Sequence, residues 1–77
     1  MKTILLPTAL CKRFNLTDRP KVIVLRCMES RSKSGRLKFL SCIFEFNCVF
    51  WRADYRYDSF GNAVFVRVLR SFDPDLC

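Results

Sequence analysis

From Val49 to Asp58 apolar and polar side chains alternate: Val49, Trp51, Ala53, Tyr55 and Tyr57 fall on one face, Arg52, Asp54, Arg56 and Asp58 on the other. A period of two is the signature of a strand buried on one side. Ser59 to Asn62, with its Gly61-Asn62 pair, supplies a turn, and Ala63 to Phe72 returns as a strand with Val64, Val66 and Val68 on a single face. Asp73-Pro74-Asp75 ends that hairpin.

Upstream, Lys21 to Met28 (KVIVLRCM) is rich in β-branched residues and apolar on both faces, as a central or barrel strand would be. Glu29 to Gly35 (ESRSKSG) is thoroughly polar and has the Ser and Gly of a hairpin connection. Residues 36–58 contain neither Gly nor Pro. That run is too long for an ordinary strand, so it either bends sharply or turns near Glu45-Phe46-Asn47; its content of Phe, Ile, Val and Cys favours strand over helix. At the N-terminus, Lys2 to Leu6 is a short edge strand stopped by Pro7. Thr8 is placed to cap a turn or two of helix running to Phe14, with Leu10 and Phe14 four apart on one face. Asn15 to Pro20 is a loop, because Asn, Asp and Pro are turn residues and Arg19 before Pro20 is pushed out of the helical region.

Antiparallel hairpin strands with two apolar faces do not persist as a flat open sheet, whose unpaired edges and uncovered face would aggregate. The expected fold is therefore mainly β: a small antiparallel sheet or half-closed barrel of four to five strands, with at most one short N-terminal helix, spanning residues 1–77 as a single domain. A chain of this length buries only about 60% of its unfolded surface and builds one core.

Charge adds an asymmetry. Ten of the fourteen Lys and Arg lie in residues 1–38 beside only Asp18 and Glu29, whereas ten of the eleven aromatics lie in residues 39–77. The first part carries +8 and the second −1 (four Arg against five acids), which together give the net +7. Clustered cations concentrate anions, so nucleic acid or an acidic protein surface is the expected partner. Five cysteines, an odd number, with Cys27, Cys42 and Cys48 inside or beside apolar alternating runs, point to reduced thiols in a cytoplasmic protein rather than a disulfide scaffold. No His is present and no Cys pair has the spacing of a metal knuckle, so no metal or other cofactor is expected. MKTILLPTALC has a short apolar stretch before Cys11, but Pro7 interrupts it and Leu10 stands where cleavage needs a small residue. The apolar run from Phe39 to Trp51 contains Glu45 and falls short of the ~20 residues a membrane helix requires, so no membrane partner is expected.

Catalysis finds no foothold: a Cys nucleophile would lack a His base, and neither a carboxylate pair nor a glycine-rich phosphate loop occurs at a recognisable spacing. The chain is expected to be a binding module and not an enzyme. Arg31, Lys33 and Arg36, with Lys38 entering the next strand, are interleaved with Ser30, Ser32, Ser34 and Gly35, a composition suited to phosphate oxygens. Lys21 and Arg26 extend the basic set, and Tyr57 or Phe60 would stack on a base. Phe39, Phe44, Phe46, Phe50 and Phe65 are assigned to packing. Arg52 and Arg56 are assigned to pairing with Asp54 and Asp58, leaving Arg67 and Arg70 less compensated. Two partners fit: a single-stranded nucleic acid or nucleoprotein complex, or, for an accessory or inhibitor protein of the kind phages and viruses encode, an acidic surface of a host protein with Phe60 as anchor.

Overall fold

The computed structural model describes residues 2–72. Five strands and one helix follow in the order β1 (Thr3–Leu5), α1 (Thr8–Arg13), β2 (Lys21–Arg31), β3 (Leu37–Phe46), β4 (Val49–Tyr57) and β5 (Ala63–Arg70). Each strand pairs antiparallel with the next, giving one sheet ordered as the chain runs. The sheet curls into a half-barrel, with α1 laid into its concave side. The Asp73-Pro74-Asp75 segment expected to end the last hairpin lies outside the described residues, as does Cys77.

The concave core is built by the alternation of β3 and β4. Leu40, Cys42 and Phe44 of β3 stand opposite Tyr55, Ala53 and Trp51 of β4, so all six share one face. Phe44, Trp51 and Ala53 join Leu6, Leu10, Cys11 and Val22 in a buried cluster, and Phe14 meets Phe46 and Trp51 edge-on at ring distances of 5.5 and 6.2 Å. Such edge-to-face pairs add to the burial of large aromatic surface, which dominates the cohesion of a domain this small. The indole N–H of Trp51 donates to the Phe46 carbonyl at 3.1 Å, and Arg13 lies 5.5 Å over the ring.

The helix is delimited by backbone chemistry. Thr8 does not cap it; Pro7 occupies the cap position, and its carbonyl accepts the N–H groups of Leu10 and Cys11 at 3.0 and 3.1 Å. Proline's fixed φ suits that place, so Thr8 becomes the first helical residue. At the other end Asn15 adopts φ 53°, while Leu16 donates to Cys11 and Asn15 to Lys12. This is the paired closure of a Schellman motif with Asn standing in for Gly.

The long uninterrupted run breaks at Asn47-Cys48, one step beyond its expected place, with φ of 55° and 63°. Two consecutive positive φ values define the hairpin turn whose twist matches the flanking strands. Phe46 and Val49 close it as a direct pair. Cys48 carries none of the Gly or Asn signal normal for its position, which is why the turn was displaced in the sequence reading.

The strands depart from three other expectations. β2 continues through Glu29 to Arg31, with irregularities at Leu25 and after Ser30, so the polar connection is shorter than its composition suggested. In β5 an irregularity at Val66 places Val64 opposite Arg56 but Val68 opposite Ala53. Val64 and Val68 are therefore on opposite faces, because an extra residue reverses the parity of all that follows. Phe39 does not pack in the core: it stands opposite Arg56 on the convex face and is 55% exposed. Phe65 is partly covered, 37% exposed, and touches Tyr55 edge-on at 5.8 Å.

These placements separate two phenylalanines five positions apart. Phe44→Ala is expected to lower unfolding free energy by about 3–5 kcal/mol, whereas Phe39→Ala should cost less than about 1 kcal/mol. Urea titrations of both variants measure this; equal losses would contradict the assigned faces.

Candidate nucleic-acid interface

Two hairpin tips occupy one end of the sheet, and they are built alike. In the first, Ser32 donates its N–H to the Arg36 carbonyl at 2.8 Å and Gly35 donates to the Ser32 carbonyl at 2.9 Å. In the second, Asp58 donates to Asn62 at 3.0 Å and Gly61 to Asp58 at 3.1 Å. Gly35 and Gly61 have φ of 84° and 81°, the left-handed conformation that closes a three-residue connection. The first residue of each frame also offers a side-chain oxygen to the N–H of the fifth: Ser32 Oγ accepts from Arg36 at 3.2 Å and Asp58 Oδ1 from Asn62 at 2.9 Å. Asp58 Oδ1 accepts the Phe60 N–H as well.

The same frame thus presents Lys33 and Ser34 on one tip and Ser59 and Phe60 on the other, all exposed. Phe60 is 86% exposed, so it neither folds back onto the hairpin nor joins the core. Arg36 ties the tips together, donating from its guanidinium to the Ser59 carbonyl at 2.8 Å. Beneath the junction an open cleft of about 390 Å³ is lined by Arg36, Lys38, Phe39, Arg56, Tyr57 and Asp58, among others.

Six of the eight residues singled out in the sequence therefore gather at this end: Arg31, Lys33, Arg36, Lys38, Tyr57 and Phe60. Lys21 does not. It begins β2 opposite Leu5, about 33 Å from Arg31 along an extended strand. Arg26 lies between them on the convex face, opposite Ile43. Within the cluster the cations differ in availability. Arg31 donates to the Gly35 carbonyl at 2.9 Å and pairs with Glu29 at 3.4 Å, and Arg36 is engaged with Ser59, so both arginines hold loop backbone. Among the described residues Lys33, Lys38 and Arg56 have no carboxylate partner.

Arg56 corrects the expectation that it would pair with Asp58, whose carboxylate is occupied by the turn. It and Phe39 are the additions that the sequence alone did not supply. Their direct opposition across β3 and β4 follows from register, and register depends on the unrecognised Asn47-Cys48 turn. Arg67 is likewise compensated rather than free: with Arg52 and Ser41 it converges on Asp54, at 2.9, 3.0 and 2.9 Å. Burial of Asp54 opposes its ionisation, but the hydrogen bonds from Arg67, Ser41 and Arg52 outweigh it and hold the carboxyl below its ordinary range.

Among the described residues no group of three or more His, Cys, Asp or Glu side chains is placed to hold a metal ion, and no helix is long and apolar enough to cross a membrane. No family model, curated protein or solved structure matches the chain. What the geometry defines is a small half-barrel with a cationic, aromatic-bearing end.

The Asp54 cluster has a pH signature. A carboxyl with a depressed folded-state pKa contributes stability that is complete above the unfolded value of about 3.9 and is lost as pH falls through the folded value. Asp54→Asn is therefore expected to be less stable than the native chain at pH 6, with the gap narrowing at pH 3 and below. Urea midpoints across that range test it; a gap constant with pH would show that Asp54 contributes no charge-dependent stability.

Proposed function

We propose that the protein is a non-enzymatic binding module that docks single-stranded nucleic acid, free or within a nucleoprotein complex, at the paired hairpin tips. The observation that carries this reading is the Arg36 to Ser59 hydrogen bond, which sets two tips side by side and so assembles Lys33, Lys38, Arg56, Phe39, Tyr57 and Phe60 on one end of a rigid sheet. Phosphates would be met by Lys33, Lys38 and Arg56, which have no carboxylate partner among the described residues. A base would lie on Phe60 or on Phe39, since an exposed ring beside a cationic groove is how sequence-tolerant single-strand binders hold bases. Arg31 and Arg36 act chiefly by shaping the tips. The four described cysteines with free thiols fit action in the cytoplasm, or in a host cytoplasm for a viral or phage protein.

Phe60 also supports a second reading. So exposed an aromatic, next to the Ser59 carbonyl that Arg36 holds, equally suits an anchor that enters an apolar pocket on an acidic protein surface, as an accessory or inhibitor protein would use it.

Fluorescence anisotropy with a labelled single-stranded oligonucleotide distinguishes them. Affinity is expected to fall with salt by roughly 0.7 log unit per log unit for each phosphate neutralised, and the Lys33→Ser, Lys38→Ser, Arg56→Ser triple variant should lower that slope by about 2. Phe60→Ala should weaken binding by about 1–3 kcal/mol with the slope unchanged. Absence of binding at low salt, or a slope unaltered in the triple variant, would exclude the nucleic-acid reading and leave the acidic protein surface.

A further inference from the structure

Cys27 and Cys42 are register partners across β2 and β3, both on the concave face, with their sulfur atoms 3.8 Å apart. They differ in access. Cys42 is fully buried, at the back of an open cleft of about 290 Å³ lined also by Leu40, Tyr55, Arg19 and Ala63. Cys27 is exposed, because α1 covers only the end of the concave face nearer Phe44 and Trp51 and the N-terminal strand bonds to β2 no further than Val24. The pair thus has an outer thiol that a reagent reaches and an inner one that it does not.

We infer that Cys27 and Cys42 form a dithiol site that reacts with small disulfides and closes into a cross-strand bond within the β2–β3 hairpin. The Cys27 thiolate attacks one sulfur of the incoming disulfide, forming a mixed disulfide and releasing one thiol. The Cys42 thiolate then attacks Cys27 Sγ, forming the Cys27–Cys42 bond and expelling the second thiol. The protein loses two electrons and two protons; the small disulfide gains them as two thiols. Before reaction the Cys42 thiol is pushed up to about 12, by burial first and then by its hydrogen bond to and the charge of Cys27. Formation of the mixed disulfide removes the Cys27 thiol and with it two of those causes, so the inner thiol ionises more readily once the outer one has reacted. Contact must shorten from 3.8 Å to the ~2.05 Å of a bond. Directly opposed partners already meet this demand in register, so side-chain rotation and a small approach of the strands complete it. The closed bond fixes the base of the hairpin that carries Lys33 and Lys38, and removes chain entropy from the unfolded state.

The test uses oxidised glutathione on the full chain. Tryptic cleavage leaves Cys27 in residues 27–31 but places Cys42 and Cys48 together in residues 39–52, so the experiment is done with Cys48→Ser, which changes an exposed turn residue. The expected product yields the 27–31 peptide linked to the 39–52 peptide, two hydrogens lighter than the two free peptides together and with no glutathione on either; it melts several degrees above the reduced form. With Cys42→Ala added, Cys27 should keep its glutathione adduct. With Cys27→Ser added, no adduct should form at Cys42. A stable adduct on Cys27 while Cys42 is present, a link from Cys27 to Cys11, or an oxidised form that melts below the reduced one would each overturn the inference. Should the Cys42→Ala chain fail to fold, the mapping of the two linked peptides and the Cys27→Ser chain decide the matter.

Discussion

Contact of Leu10 and Phe14 with Phe44 and Trp51 determines the rest of the molecule. It selects which face of the sheet is inside, and in a strand that choice fixes the direction of each residue to either side. With Trp51 turned in, Arg52, Asp54 and Arg56 turn out; with Phe44 turned in, Phe39 turns out, because five positions reverse parity. The Asp54 cluster and the Arg56–Phe39 pair are therefore by-products of a packing decision made on the opposite surface. The helix supplies only two turns of backbone, yet closing it at both ends, by the Pro7 carbonyl and by Asn15, keeps its two large apolar side chains aimed at the sheet.

The parts legible in the sequence were those where local chemistry and tertiary demand agree. The alternation from Val49 to Tyr57 named its faces correctly, since β4 is central and regular. The short N-terminal strand, the helix through Leu10 and the loop ending at Pro20 were marked by residues whose backbone preferences are strong. Where an extra residue enters a strand, composition is silent. Nothing about Val66 distinguishes it from Val64 or Val68, but the ladder with β4 skips it, and Val64 and Val68 end on opposite faces. Phe39 was misassigned for a related reason: counting bulky residues says how many a core needs, not which of them face it.

The tips show the same division. That Gly35 and Gly61 mark turns is local information, and both were read. That the turns lie at one end of the sheet and are joined by Arg36 is not local, since it depends on how residues 36–58 divide between β3 and β4. Lys21 and Arg26 were grouped with the tip cations by proximity along the chain. An extended strand disperses what sequence proximity joins, so a basic segment in β2 becomes charges on opposite ends of the molecule.

The twin five-residue frames carry an implication for how such a surface responds to substitution. Each is held by backbone groups, by one oxygen-bearing side chain at its first position and by glycine at its fourth. The second and third positions, Lys33 and Ser34 in one and Ser59 and Phe60 in the other, contribute no side-chain bond that closes the loop across from the opposite strand. Of the four, only Ser34 has a side-chain bond to its own frame, Oγ to Oγ with Ser32 at 2.8 Å. Substitution at these four positions changes the chemistry that this end of the sheet presents, while the backbone bonds, the capping oxygens and the glycines that close each frame stay in place.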